Sequence, residues 1–265
     1  MNEKNNIMHT GIWYGEIIDN TNIEELWNKV NKEENEIDKL LLVIELLKLG
    51  EFSAKPLLIK IMNESNDSVV INLSVRVFCS IAQHEDIHNI KNLSLLSGAN
   101  DEVARLFASC SKYTLSYEVV PYLLAMLEEW EDTDVEIVIR DSLEWMLGYQ
   151  QVIEESATID EIGEFYINKN REIDVEKYYY EGQLAFPGIL TKRLLDACVL
   201  SRTYGKCLKQ SIIPKMLSIW SGIKCPVEYN TIVDDEIMRK VFDYVKQLSK
   251  MNWEKGCKYF YGHKI

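Results

Sequence analysis

The residues best equipped for chemistry are His84, Glu85 and His88, in the run His84-Glu85-Asp86-Ile87-His88. On a helix, two histidines at i and i+4 share a face. They can hold Zn²⁺ there while the glutamate serves as base toward a bound water. A catalytic zinc needs a third protein ligand, and the next histidine in the chain is His263. The run also falls where a turn between two helices is expected, and Gln83-His84-Glu85-Asp86 is ordinary polar turn chemistry. A zinc-dependent peptidase is therefore the weaker alternative. The expectation is no metal, no cofactor and no enzyme. Nucleophilic catalysis has less support still, because the chain has no G-x-S-x-G, no P-loop and no G-x-G-x-x-G. Six cysteines (79, 110, 198, 207, 225, 257) form no C-x-x-C pair. Cys79 and Cys110 fall on apolar helical stripes, where a thiol is buried and inert. Reduced, scattered cysteines fit a cytoplasmic protein better than a disulfide frame.

A second constellation points to recognition instead. Glu128, Glu129, Trp130, Glu131, Asp132, Asp134 and Glu136 place six carboxylates around one tryptophan. Tryptophan is a rich interface anchor, and a rim of charge steers an oppositely charged partner onto it. The plain alternative is a Trp130 that caps the core among solvated acids. Charge along the whole chain sharpens the choice. Residues 113–165 carry 14 acidic side chains against Arg140 alone, a net of −13, which equals the net charge of the whole chain. Residues 166–265 carry 17 basic and 11 acidic side chains, a net of +6. The acidic stretch repels nucleic acid and acidic membranes and suits a cationic partner.

The elements that must position these residues follow from a repeat. Asn66-Asp67, Asn100-Asp101 and Thr133-Asp134 each follow one apolar helical segment and open another. The aspartates are 34 and 33 residues apart (101 − 67 and 134 − 101). Such a period, with two helices per unit, marks an α-solenoid, and Asp or Asn at a helix start satisfies free N–H groups. The second helices carry Val70, Leu73, Val77 and Ile81; then Val103, Leu106, Cys110 and Tyr113; then Ile139, Leu143 and Met146/Leu147. The first helices are expected over 56–62, 87–96 and 120–127, with another over 37–49 stopping at Gly50. Trp145 and Tyr149 read as core.

The segments AKPLLIKIMNESNDSVVINLSVRVFCSIA (54–82) and EVVPYLLAMLEEWEDTDVEIVIRDSLEWML (118–147) resemble HEAT repeats, though the arginine usual early in the second helix is irregular. Three further strings, GIWYGE (11–16), LLKLGEFSAKPLLI (46–59) and SYEVVPYLLAMLEEWEDT (116–133), make the chain similar to immunity protein 47, an immunity family of bacterial polymorphic toxin systems, over most of residues 11–167. The resemblance implies an intracellular protein that binds and neutralises one cognate toxin. A general HEAT-like scaffold with some other protein partner is the alternative.

The fold class expected is all-α: a HEAT-like α-solenoid of antiparallel hairpins over 1–170, with a helical C-terminal region over 171–265 packed on the stack. Helices are expected over 189–204, 212–219 and 234–251, a loop or short turn over 172–183, and an aromatic end (Trp253, Tyr259, Phe260, Tyr261) packed back on the repeats. The polar start Met1-Asn2-Glu3-Lys4 reads as no signal peptide, and apolar runs such as Leu40–Ile44 are too short to span a membrane.

Overall fold

The computed structural model describes residues 13–18 and 22–265, and these are predominantly helical. Gly11, Ile12 and the polar start lie outside the described residues. Backbone packing divides the chain into two compact units whose segments interleave. One comprises Glu33–Leu41 and Ser53–Ala185; the other comprises Leu42–Phe52, Phe186–Ile265 and the described residues up to Lys32.

The first unit is built on the repeat. Helices α1 (Lys55–Glu64) and α2 (Ser68–Ile81) form one pair, and α3 (Val120–Glu129) and α4 (Asp134–Leu147) another. Between them stand a short helix, His84–His88, a 3₁₀ run, Ile90–Leu96, and helix α5 (Asp101–Ser111). The second helices pack in succession, α2 on α5 and α5 on α4. Their N-caps are Asp67, Asn100 and Thr133, each accepting a backbone N–H with its side chain. The caps recur every 33 residues (100 − 67 and 133 − 100). Asp101 and Asp134, expected as the opening residues, sit instead in the first turn, where their charge suits the helix dipole. Asp67 takes the N–H groups of Val69 and Val70, at 2.8 and 3.4 Å. Asp67→Ala is expected to lower unfolding stability by about 1 kcal/mol, measured by urea titration.

A ladder of side-chain bonds runs between successive repeats. Lys55 Nζ reaches Gln83 Oε1 at 2.8 Å and Asp86 Oδ2 at 2.5 Å. Arg105 donates to the Asp134 carbonyl at 3.2 Å, and Ser142 to the Ala108 carbonyl at 2.7 Å. These contacts span 28 to 34 residues, about one period each. The apolar stripes are buried as expected at Val70, Leu73, Val77, Ile81, Leu106, Cys110, Ile139, Leu143, Met146 and Leu147.

The middle repeat departs from expectation. A continuous helix over 87–96 is replaced by the helix His84–His88 and a 3₁₀ run in which Leu93 has non-helical angles. Asparagines compete with the helical ladder there. Asn89 accepts the Lys91 N–H, Asn92 Nδ2 donates to the Asp86 carbonyl, and the Asn63 amide bonds both Asn92 O and Leu95 N.

The stretch 172–183 is no plain loop. A helix, Ile159–Glu172, opens on a Thr158/Glu161 capping box, and a hairpin pairs Tyr179–Tyr180 with Gln183–Leu184. The hairpin's tyrosines are buried: Tyr178 stacks on His84, Tyr179 on Tyr117, and Tyr180 meets Trp145 edge-on.

The second unit contains Ile23–Lys32, Pro187–Tyr204, Ile212–Ser221 and Asp235–Leu248; the boundary between units falls inside helix Glu36–Lys48. It ends in a hairpin of the same construction, Tyr259–Phe260 with His263–Lys264. Both turns hold two positive-φ residues, Glu181-Gly182 and Tyr261-Gly262, the mark of a type I′ turn. In both, the first strand's tyrosine hydroxyl accepts the N–H of an acidic residue five positions back: Asp174 for Tyr179, Glu254 for Tyr259. The aromatic end has contacts within this unit. Tyr261 and Gly262 donate to the Ile219 and Trp220 carbonyls, and Tyr261 stacks on Trp13 and bonds the Gly15 carbonyl at 2.7 Å, all within this unit. Gly50, at φ +80°, lies so close to the ring of His263 that a Cβ would come within 2.7 Å of it. No described helix is long and apolar enough to cross a membrane.

Candidate functional site

The acidic stretch forms one turn and its two helix ends. Trp130 closes helix α3, donating its N–H to the Met126 carbonyl, and is half-buried. Thr133 ties the turn by donating its N–H and its hydroxyl to the Trp130 carbonyl, at 3.3 and 2.7 Å. Asp132 takes the left-handed conformation, φ +61°, which short polar side chains tolerate. Glu128, Glu129, Glu131, Asp132 and Asp134 are exposed.

Two of the six carboxylates pair with an arginine. Glu136 accepts Arg140 Nε at 2.7 Å and the Asp132 N–H at 2.8 Å, and Arg140 continues to the Ala157 carbonyl. Asp134 lies 3.7 Å from Arg105 of the preceding repeat. The Arg140 hydrogen bond, then the Asp132 amide, hold the Glu136 carboxyl below its usual 4.5. A depressed folded pKa contributes stability in full above 4.5 and loses it as pH falls through the lower folded value. Glu136→Gln is therefore expected to flatten the acid limb of a stability–pH curve below 4.5 and to leave its shape unchanged above pH 6. Thermal melts across pH 3–7 test this.

The histidines of the zinc-type motif diverge in their bonding. His84 Nδ1 lies 2.7 Å from Ser116 Oγ while its ring stacks on Tyr178, and His88 Nδ1 lies 3.1 Å from Glu118 Oε2. Among the described residues, no group of three or more His, Cys, Asp or Glu is placed to hold a metal ion. Burial pushes the Cys198 thiol up to about 11 and the Cys225 thiol up to about 12, so both stay protonated. Trp145 is half-buried against Tyr180 and Tyr149 is fully buried.

Beside the short helix lies a groove lined in part by the zinc-type motif. One part, about 530 Å³, is lined by His84, Glu85, His88, Asn89, Ile90 and Glu118. An adjoining part, about 410 Å³, shares His88, Ile90 and Glu118 and adds Pro121, Tyr122 and Ala125. The Tyr122 hydroxyl donates to the Ile87 carbonyl at 2.8 Å, which fixes the ring in the groove wall.

The sequence profile of one family, Immunity protein 47, matches residues 8–265. The chain belongs to the immunity protein 47 family. No curated protein and no solved structure matches it. The match extends well past residues 11–167, so both hairpins and the helices after residue 187 lie within the matched range. The family is one of immunity proteins.

Proposed function

We propose that this immunity protein binds and neutralises one cognate bacterial toxin by direct protein–protein contact in the cytoplasm, as part of a polymorphic toxin system. The observation that carries the reading is the family match over nearly the whole chain. The acidic turn supplies the contact: Trp130 is the anchor, Glu128, Glu129, Glu131, Asp132 and Asp134 form the charged rim, and Glu136 holds the turn in shape. The toxin surface that meets it is cationic, and nucleic acid and membranes are not partners. The platform is a HEAT-like stack of helical hairpins. Support comes from caps recurring every 33 residues and from the inter-repeat ladder.

The test uses the toxin domain encoded beside the immunity gene. Cells producing that domain should grow only when the immunity protein is co-produced, and the two purified proteins should co-elute as a complex. A toxin domain that stays lethal and elutes alone would overturn the reading.

A further inference from the structure

The groove and the acidic turn are two ends of one helix face. On helix α3, Pro121, Ala125, Glu128 and Glu129 are exposed, at positions i, i+4, i+7 and i+8, which is one stripe. Pro121 and Ala125 floor the groove, and Glu128 and Glu129 begin the acidic turn. The eight steps from Pro121 to Glu129 rise about 12 Å, the reach of about four extended residues.

The groove's chemistry is that of a receptor for an apolar side chain with a cation beside it. Ile90 is 72% exposed at its lip and offers an apolar surface there. Pro121 and Ala125 continue the apolar floor, and the pinned Tyr122 ring forms a wall. The carboxylates on the rim are Glu85 and Glu118. Glu118 has His88 beside it at 3.1 Å, yet its side chain remains 32% exposed and open to a second donor.

Resting on the toxin-binding reading, we propose that this groove takes a basic–apolar segment of the toxin. One apolar side chain packs on Ile90, Pro121 and Ala125. An adjacent lysine or arginine meets Glu118, and a second cation about four residues along the segment meets Glu128 and Glu129. Charge complementarity selects this occupant: the groove's fixed charges are acidic, and they open onto the most acidic part of the chain. A groove that buries an aliphatic anchor under a charged pair gives lifetime to the complex, whereas the open turn gives encounter rate.

The experiment measures binding of the neighbour-encoded toxin domain to full-length variants by surface plasmon resonance. Ala125→Trp fills the groove from an exposed helix position, and Ile90→Ala removes its lip. Each is expected to raise the dissociation rate at least tenfold while leaving the melting temperature within about 2 °C of wild type. Glu118→Gln should weaken binding, and high salt should then cost this variant less than it costs wild type. Wild-type affinity for both Ala125→Trp and Ile90→Ala would overturn the groove proposal while leaving toxin binding intact. Tighter binding by Glu118→Gln would mean an acidic or neutral occupant and would also overturn it. A toxin domain that fails to bind wild type overturns the parent reading itself, and is distinguishable because no variant then matters.

Discussion

Trp130→Ala is expected to weaken the toxin complex by about 2 kcal/mol or more, roughly a thirtyfold loss, and to do so through faster dissociation. Trp130 is half-buried at the end of helix α3 and surrounded by exposed carboxylates, the arrangement of an anchor inside a charged rim. The rim itself should act differently. Glu128→Gln, Glu129→Gln and Glu131→Gln together should slow association at low salt, and 0.5 M salt should erase the difference from wild type. All three glutamates are exposed, so the melting temperature should be nearly unchanged. Stopped-flow association and surface plasmon resonance dissociation separate the two effects. Wild-type kinetics in both variants would remove the acidic turn from the binding site.

Phe107→Ala is expected to cost about 3–5 kcal/mol of unfolding stability, a large share of the roughly 5–15 kcal/mol that holds a domain folded. Phe107 is 1% exposed at the centre of helix α5, which packs on α2 on one side and on α4 on the other. Its loss leaves a cavity in the buried core of the unit. Ile137→Ala is the control. Ile137 lies on α4 but is 63% exposed, and its removal should shift stability by less than about 0.5 kcal/mol. Chemical denaturation followed by circular dichroism gives both values. Equal effects in the two variants would mean that the second helices do not share a core.

Where sequence and structure agree, local chemistry was sufficient. The second helices could be placed because each cap, Asp67, Asn100 and Thr133, satisfies its own helix's N–H groups from two or three residues away. Their buried stripes were legible because a helix interior repeats every 3.6 residues whatever it packs against. The Thr158/Glu161 box and the Glu181-Gly182 and Tyr261-Gly262 pairs were equally local signals for the last helix of the repeat unit and for both hairpins.

Other features are decided only by residues far apart in the chain. Asn89 and Asn92 break the middle repeat's first helix, with Asn63, some 30 residues earlier, completing the alternative bonds. The zinc-type histidines differ in their bonding because Ser116 and Glu118, some 30 residues away, take one ring each. Residues 42–52 join a compact unit with residues after 186, an interleaving that no linear scan of composition can reveal. The groove exists because Ile90, apolar and by type a core residue, is left exposed beside Pro121 and Ala125. The sequence alone thus determined the helical class, the repeat period, the family and the acidic stretch, all properties of neighbours in the chain. Tertiary structure decided which carboxylates stay exposed, as Glu128 and Glu131 do, and which one, Asp134, meets a distant arginine, Arg105. Those outcomes depend on where burial and partners fall in space.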